Sequence, residues 1–283
     1  MNMARNVEDG RKGLSDAELG GDVDAAIRGK LRDYSGYMLM PGDPDRISVM
    51  AAQWDSAEDY PQSRGYRAAI GEYKGAKISA MTSGVGAPSL EYKLTEAAEA
   101  GAHTIIRVGT TGGIQEGIEC GDLIINDACI RLDGTTPLYV MPEFPAAASF
   151  EVTMALVEAA ETFGYRYHVG TGCTSASFYA GQGRTAFGGF KLSGNDAFFE
   201  DIRRLGVLNF EMEAAALLTL ARLFKLRAGV VASVIAQRLT GKWDDAGGEE
   251  RACRTGAEAL RLLQSWDEKK SKGRKNYFFP GLG

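Results

Sequence analysis

Apolar and polar positions follow one another in a repeated order of short apolar run, glycine turn and amphipathic stretch. The short apolar runs predict strands at residues 37–40, 77–82, 104–108, 122–127, 168–173 and 228–236. The longer stretches predict helices at residues 45–53, 89–100, 149–163, 196–205, 211–223 and 247–266. Strands that alternate with helices predict an α/β fold of three layers, α/β/α, with a central mixed sheet.

The pattern predicts a single domain over residues 37–266, because no linker or internal repeat interrupts it. Residues 1–36 are polar and rich in Gly and Asp, and predict an N-terminal extension of low order or one docked on a neighbour. Residues 267–283 predict a C-terminal tail with a basic cluster and then aromatic residues. A solvated end and an aromatic clasp on a neighbouring subunit are both open. In the helix from residue 149, we expect Ser149 as N-cap and one apolar stripe of Phe150, Met154 and Val157.

The composition narrows the function classes. The chain has 283 residues, 45% hydrophobic and 24% charged, and a net charge of −5. A mildly acidic protein without a basic face is not expected to bind nucleic acid or a membrane surface. Four cysteines without a CxxC pair and two distant histidines predict free thiols and no metal site. Residues 1–30 lack the apolar core of a signal peptide, and the longest apolar run is too short to span a bilayer. We therefore expect a cytoplasmic protein.

The stretch Arg107-Val-Gly-Thr-Thr-Gly-Gly113 follows an apolar, β-branched run and is the strongest chemical signal. Glycines and hydroxyls bring backbone N–H groups and Oγ atoms close to a ligand, and an arginine lies beside them. Such donors suit an oxyanion such as phosphate. A plain glycine turn after a strand is the alternative.

Two other turns follow predicted strands. In Pro41-Gly-Asp-Pro-Asp-Arg46, a helix is expected to begin near Asp45, so Gly42 and Arg46 could face an anion. The alternative is a strand-to-helix turn with a surface arginine. Residues 82–89 contain Gly-x-Gly but not the complete dinucleotide fingerprint, so a nucleotide-cofactor site is not expected there.

Two further segments carry polar groups suited to a nucleoside. Gln182 and Arg184 lie in a glycine-rich loop after Phe178, and their donors and acceptor are complementary to the edge of uracil. Glu211 and Glu213 precede an apolar helix, where they could cap the helix or accept hydrogen bonds from a ribose diol. A surface loop and a simple capping role are the respective alternatives.

In this order, the segments resemble the nucleoside phosphorylase-I family of α/β proteins, and within it the uridine phosphorylases. The resemblance covers residues 37–240. Its motifs are PGDPDR, SGVGAPS, RVGTTGGIQ, GDLI, IRLDGTTPL, PEFPA, SFYAGQGR, NFEMEAAALL and the strand that ends in Gln237-Arg238.

The resemblance implies a role for each matching position. The phosphate contacts would be Gly42, Arg46, Arg107 and Thr110, with Arg64 reaching the phosphate in a neighbouring subunit's site. The ribose contacts would be Met212 and Glu213, with Glu211 beside them; the base contacts would be Thr111, Gly112, Phe178, Gln182, Arg184 and Arg238, of which the last supports Arg184. Arg184, Gln182 and Arg107 would carry catalysis. The family also implies a homo-oligomer, with a dimer as the minimal unit and a hexamer possible.

Some positions depart from the family. The purine branch places an aspartate near the end of the last core strand, whereas residues 234–238 here contain no acid, which favours a pyrimidine base. No histidine matches the one that reaches the ribose 5′-hydroxyl from a neighbour. Gly65 stands where bacterial relatives have a glutamate that helps to bind potassium.

The implied reaction is reversible phosphorolysis of uridine, deoxyuridine or thymidine, with inorganic phosphate as co-substrate and no cofactor. Three alternatives stay open at this point. They are a purine or broad-specificity phosphorylase, a nucleosidase that uses water, and a catalytically silent nucleoside-binding homologue.

Overall fold

The computed structural model describes residues 34–282. Residues 1–33 lie outside the described part of the chain. They include residues 1–30, which are expected to hold no signal peptide, and nearly all of the predicted extension 1–36.

Every predicted strand is present. The strands are β1 Tyr37–Pro41, β2 Ser56–Pro61, β3 Arg67–Tyr73, β4 Ala76–Met81, β5 Thr104–Gly113, β6 Leu123–Leu132, β7 Ala146–Ala147, β8 Tyr167–Ser175, β9 Asn209–Glu211, β10 Arg227–Gln237 and β11 Lys242–Trp243. The pattern missed the β2–β3 hairpin because β2 is a polar, largely exposed strand at the sheet edge, without the apolar alternation that marks a strand.

Every predicted helix is present as well. The helices are α1 Arg46–Ala51, α2 Ala87–Glu99, α3 Phe150–Phe163, α4 Asn195–Arg204, α5 Ala214–Leu223 and α6 Gly248–Gly273. A short 3₁₀ turn at Ala180–Gln182 shapes the loop between β8 and α4.

The strands form one mixed sheet in the order β11–β10–β6–β8–β9–β5–β1–β4–β3–β2, and β7 pairs with β6. Strand β1 runs parallel to β4 and β5, and β5 runs parallel to β10. Strand β6 runs antiparallel to β10 and parallel to β8. Because β5 pairs with both β9 and β10, the strands β10, β6, β8, β9 and β5 close into a ring.

Side chains alternate between the two faces of the central strands, so each face has its own core. Leu39, Ile106 and Val231 pack with α1, α3 and α6, whereas their neighbours Met38, Ile105 and Val230 pack with α2 and α5. Strands covered on both faces are buried along almost their whole length, as β5 and β10 are. This is the predicted arrangement of a mixed sheet between helices.

Among the predicted boundaries that are wrong, two bear on the site. Strand β5 does not end at Val108 but continues to Gly113, so the stretch 107–113 is strand and not a glycine turn. Residues 109–113 pair with β10, and Gly112 and Gly113 also pair with β9. Helix α5 begins at Ala214 and not at residue 211, because Glu211 belongs to β9.

The helix α3 also departs from its prediction. Ser149 is at the N-cap position, but its hydroxyl accepts the Ala228 N–H at 3.1 Å and makes no capping hydrogen bond. Phe150 and Met154 are more than half exposed. The buried stripe of the helix consists of Val152, Ala155, Leu156, Ala159 and Ala160.

The chain beyond residue 266 packs on its own subunit. Helix α6 continues through the predicted boundary to Gly273. Phe278 then stacks on Trp266 with ring centroids 4.2 Å apart, and its N–H donates to Glu151 at 2.6 Å. Tyr277 and Phe279 stay exposed. Within residues 34–282, no helix combines the length and the apolar character needed to cross a bilayer.

Candidate active site

A cleft of about 530 Å³ opens where the parallel strands β1, β4, β5 and β10 end. Ligands commonly bind at the carboxyl edge of such strands. Of the predicted site residues, those that line the cleft are Gly42, Arg46, Arg107, Thr110, Thr111, Gly112, Phe178, Gln182, Arg184, Glu211, Met212 and Glu213. Arg64 and Arg238 do not line it. The structure therefore brings together segments that are far apart in the sequence.

Arg107 lies at one end of the cleft and is paired with two buried carboxylates. Its Nη2 donates to Glu213, and its Nε lies 3.3 Å from Glu211 Oε2. All three side chains are nearly inaccessible to solvent. The Nη1 group of Arg107 is buried and has no hydrogen-bond partner among the described residues. A buried cationic donor without a partner suits an anionic ligand.

Arg46 lies at the same end and is also paired. Its Nε and Nη2 contact the two Glu249 oxygens at 3.2 and 3.1 Å, and its Nη1 donates to the Val108 carbonyl at 3.1 Å. The side chain is only 5% exposed. Gly42 leaves room beside these arginines, since a Cβ there would stand 3.8 Å from Arg107 Nη1 and 3.3 Å from the Gly84 carbonyl.

Glu211 has structural partners on every side. One oxygen accepts N–H groups of Glu213 and Ala214 at 2.7 Å, and the other accepts the Thr174 hydroxyl. Burial raises the pKa of Glu211 above its ordinary value, although Arg107 opposes the shift. These contacts favour the capping alternative for Glu211 over the predicted ribose contact, because its Oε2 already accepts two N–H groups and also contacts Arg107, whereas each Glu213 oxygen accepts one donor.

Glu213 and Met212 lie between the two ends of the cleft. One Glu213 oxygen accepts the Gly86 N–H at 2.5 Å, and the other accepts Arg107. These two hydrogen bonds fix the carboxylate at the cleft wall. Met212 is half-buried and provides an apolar neighbour for a sugar.

Arg184 lies at the other end, and aromatic rings surround it. Its Cζ is 4.5 Å from the centre of the Phe178 ring and 5.2 Å from that of Trp243. It makes no ion pair with the described residues, and its Nε has no hydrogen-bond partner there. Burial lowers the pKa of Arg184. Phe178, expected against a base, thus packs against the guanidinium that would read the base.

Arg238 supports this end from behind. Its Nη2 donates to the Gln182 carbonyl at 2.9 Å, and its guanidinium lies over the Phe199 ring at 4.8 Å. Burial and the neighbouring Arg184 lower the pKa of Arg238 to about 10. Gln182 is only 2% exposed.

The glycines of β5 make this arrangement possible. A Cβ at Gly112 would stand 3.3 Å from Arg238 Cγ and 3.5 Å from Arg184 Nη2. A Cβ at Gly109 would stand 3.2 Å from Arg107 Nη2. Thr111 uses its hydroxyl within the protein, donating to the Phe210 carbonyl at 2.7 Å. The glycines therefore give space to arginines and do not form the predicted N–H cradle.

Arg64 lies outside the cleft. It is exposed, with its guanidinium 5.9 Å from the centre of the Tyr92 ring. Its φ of 61° is left-handed, a conformation that a residue other than glycine adopts rarely.

The cleft residues that the sequence reasoning missed include Trp243 and Glu249, which contact Arg184 and Arg46. Both lie after the last recognised motif, Trp243 at the end of β11 and Glu249 in the first turn of α6. The only available signal was a lone tryptophan in a polar stretch, which does not identify a site.

Comparison with known proteins agrees with this geometry. The sequence model of the Phosphorylase superfamily matches residues 37–264. A uridine phosphorylase of Thermococcus kodakarensis is 46% identical over 250 residues, which are 88% of this chain and 90% of that protein. A uridine phosphorylase of Escherichia coli is 40% identical over 71% of this chain and 79% of its own. A guanosine phosphorylase of Halorubrum lacusprofundi is 29% identical over 77% of this chain and 85% of its own. The chain belongs to the Phosphorylase superfamily.

Proposed function

We propose that this protein catalyses the reversible phosphorolysis of uridine to uracil and ribose 1-phosphate. The observation that carries the proposal is the polarity of the cleft. One end presents Arg46 and Arg107 for an anion, and the other presents Gln182 and Arg184, whose polar groups are complementary to uracil. The similarity to uridine phosphorylases supports the same reaction.

At the anion end, Gly42, Arg46, Arg107 and Thr110 would hold inorganic phosphate as co-substrate. The free Nη1 of Arg107 would donate to a phosphate oxygen, and Thr110 would add a hydroxyl. Phosphate held in place opposite the base converts a bimolecular attack into an effectively unimolecular one. The proposed chemistry uses no cofactor and no metal ion.

We also propose that Arg64 of the partner subunit completes the phosphate site in a homo-oligomer. The carboxylates of Glu211, Glu213 and Glu249 outnumber the two guanidinium groups that face them within one chain. A phosphate dianion would need more positive charge than this, and Arg64 projects from the surface in a strained conformation. A dimer would be the minimal assembly, and a hexamer would satisfy the same requirement.

A mixing experiment tests the shared site. Subunits with Arg64→Ala and subunits with Arg107→Ala should each be almost inactive. When the two are mixed and allowed to exchange, one site of each mixed dimer has both arginines, so activity should return. If no activity returns although mass analysis shows mixed dimers, Arg64 does not act across the interface.

The ribose would lie against Met212, with the Glu213 carboxylate accepting hydrogen bonds from its 2′- and 3′-hydroxyls. Glu213 is suited to this role because Gly86 and Arg107 fix its orientation. As the C1′–N1 bond lengthens, the sugar gains oxocarbenium character and the phosphate oxygen forms the new bond to C1′.

At the base end, Arg184 and Gln182 would stabilise the negative charge that develops on the departing uracil. Among residues 34–282, Arg184 has no carboxylate partner that would offset its charge. Donors directed at developing charge contribute about 3–4 kcal/mol each in comparable sites. Uracil then takes up a proton and leaves.

A pyrimidine is the better fit for this base end. Where the purine branch has an acid, Ile235 and Ala236 line the cleft with apolar groups. The Gln237 amide donates to the carbonyls of Gln115 and Ile118, at 3.0 and 2.9 Å, and is thus part of the framework. The similarity to a guanosine phosphorylase keeps a purine or broad-specificity enzyme as the second candidate.

The decisive experiment incubates the pure protein with uridine, with and without phosphate, and separates the products. We expect uracil and ribose 1-phosphate only when phosphate is present. Uracil with free ribose in the absence of phosphate would identify a nucleosidase, for which paired arginines at the anion end have no use. No cleavage of uridine, deoxyuridine, thymidine, inosine or guanosine would identify a silent homologue.

This activity would place the protein in pyrimidine salvage. We propose a cytoplasmic location on the chemistry of the thiols, since Cys120, Cys129, Cys173 and Cys253 are all unpaired in the structure. Fractionation of cells with an antibody against the protein would test it.

A further inference from the structure

The segment from Trp243, the last residue of β11, to Glu249, in the first turn of α6, contacts both ends of the cleft. Trp243 reaches Arg184 at the base end, and Glu249 reaches Arg46 at the anion end. None of the motifs that identify the family includes either residue. Their partners suggest that the segment acts on the reaction through the two arginines.

The backbone of this segment is held firmly. Trp243 pairs with Ala236 in an antiparallel bridge, and the Asp244 N–H donates to the Ile235 carbonyl at 2.9 Å. The Asp245 carboxylate then accepts the N–H groups of Gly247 and Glu249, each at 3.1 Å. These contacts fix the positions from which the two side chains reach the cleft.

Trp243 and Phe178 enclose the Arg184 guanidinium. The two rings have centroids 6.5 Å apart and an interplanar angle of 51°, and Arg184 lies over both faces. Cations are attracted to aromatic faces at such distances. A carboxylate in place of Trp243 would hold Arg184 equally well, but it would cancel the charge. The aromatic wall orients the guanidinium and leaves its charge available to a ligand.

Glu249 orients Arg46 without using all of its donors. Hydrogen bonds to Glu249 and Val108 use the N–H of Nε and one N–H of Nη1, and Nη2 makes an ion-pair contact with Glu249 at 3.1 Å. The second N–H groups of Nη1 and Nη2 remain for a ligand. A fork held on one edge by a carboxylate is preorganised on the other, which lowers the entropy lost when phosphate binds.

We propose that Trp243 and Glu249 are positioning residues, Trp243 for Arg184 and Glu249 for Arg46. The proposal rests on the proposed phosphorolysis. It makes the segment 243–249 a part of the active site that acts on both substrates separately, each through its own arginine.

A second interpretation of Glu249 predicts the opposite change in the KM for phosphate. If its carboxylate only competed with phosphate for Arg46, then Glu249→Gln would lower the KM for phosphate. If it positions Arg46, the same variant raises that KM, because the fork loses a charge-assisted partner. We expect an increase of about tenfold, with the KM for uridine within about twofold of the wild type.

Glu250→Gln is the matched control, since it removes the same charge from the adjacent, exposed residue. It should leave both KM values unchanged. A decrease in the KM for phosphate in Glu249→Gln, or an equal effect of Glu250→Gln, would overturn the role of Glu249.

For Trp243, the test compares Trp243→Leu with Trp243→Phe. The leucine variant keeps apolar bulk but loses the aromatic face, and should lower kcat/KM for uridine about tenfold. The phenylalanine variant restores a ring and should recover most of the loss. Neither should change the KM for phosphate. Lys242→Ala, on the same short strand, is the control and should behave as the wild type.

Equal losses in Trp243→Leu and Trp243→Phe would overturn the role, because the presence of an aromatic face would then make no difference to kcat/KM. A rise in the KM for phosphate in Trp243→Leu would do the same, since it would show a general distortion of the cleft.

Two measurements without uridine separate this proposal from the proposed reaction. Calorimetry with inorganic phosphate alone should show weaker binding to Glu249→Gln than to Glu250→Gln. Trp54 and Trp266 are buried, whereas Trp243 is 56% exposed, so a change in tryptophan emission on Arg184→Ala reports on Trp243. Arg222→Ala should leave that emission unchanged. If the wild type does not cleave uridine but both results hold, the reaction is wrong and the positioning is right. If both fail in an active enzyme, the positioning is wrong.

Discussion

The two ends of the cleft hold their arginines in opposite ways. At the anion end, Arg46 and Arg107 are paired with glutamates. At the base end, Arg184 and Arg238 have no carboxylate partner in the described chain and lie over aromatic rings. The same residue type is therefore used with its charge offset at one end and unmatched at the other.

The difference agrees with what each end would receive. Phosphate arrives as an anion, and glutamates can hold arginines in place while part of each guanidinium stays free to bind it. The nucleoside base arrives neutral and becomes negative only as its bond breaks. An unmatched cation at that end interacts weakly with the ground state and strongly with the transition state, which is the condition for catalysis. Burial lowers the pKa of both base-end arginines, Arg184 and Arg238.

The largest expected effect contrasts the stability of two variants. Arg107→Ala leaves Glu211 and Glu213 buried without their cation, and should lower the free energy of unfolding by about 3–5 kcal/mol. Arg184→Ala removes a cation that pairs with no carboxylate of the described chain, and should change the free energy of unfolding by less than about 1 kcal/mol. Urea unfolding followed by circular dichroism measures both. Similar losses in the two variants would contradict the proposed difference between the ends.

The next effect is on the reaction itself. Arg184→Ala should lower kcat/KM for uridine by roughly 10²–10³, about 3–4 kcal/mol, because the charge on the leaving base loses its partner. The KM for phosphate should change little, whereas Arg107→Ala should mainly impair the use of phosphate. Arg222→Ala, an exposed arginine outside the cleft, is the control. Near-normal turnover by Arg184→Ala would remove it from the site.

Phosphate alone should stabilise the protein, because the anion end is formed before substrate arrives. At roughly 100 times its Kd, a ligand that binds only the folded state adds about 2.7 kcal/mol. Thermal unfolding with phosphate should show this gain in the wild type and lose it in Arg107→Ala. Arg184→Ala should keep it. A gain that depends on Arg184 and not on Arg107 would reverse the assignment of the two ends.

The smallest effect concerns the space beside the base-end arginines. Gly112→Ala would place a methyl group 3.3 Å from Arg238 Cγ. The Arg238 and Arg184 side chains must shift by a few tenths of an ångström. We expect kcat/KM for uridine to fall by an amount that corresponds to about 1 kcal/mol of activation free energy. Gly194→Ala, where a Cβ meets no atom within 4 Å, is the control. Equal kinetics for the two variants would show that this end tolerates the methyl group.

The sequence predicted the fold well where local signals are strong. Buried strands such as β5 and β10 and helices such as α2 and α3 carry continuous or periodic apolar patterns, and all were identified. The errors lie where tertiary contacts decide. β2 is polar because it is an edge strand, and β5 continues through glycines because β9 and β10 pair with it.

For the site, the sequence by itself determined which residue types are available and, through their order, the family. The sequence predicts site residues that include Gly42, Arg46, Arg107, Gln182, Arg184 and Glu213, and these six line one cleft. Motifs of this kind are local, so they can be read from a single segment of chain.

Only the tertiary structure decided what each side chain contacts. Arg107 pairs with Glu211 and Glu213, and Trp243 and Glu249 reach Arg184 and Arg46 from a segment without a motif. The physical reason is that an ion pair or a cation–π contact depends on distances between segments. A distance of a few ångströms between residues more than fifty positions apart is set by the packing of the sheet and its helices, and leaves no local signal in the sequence.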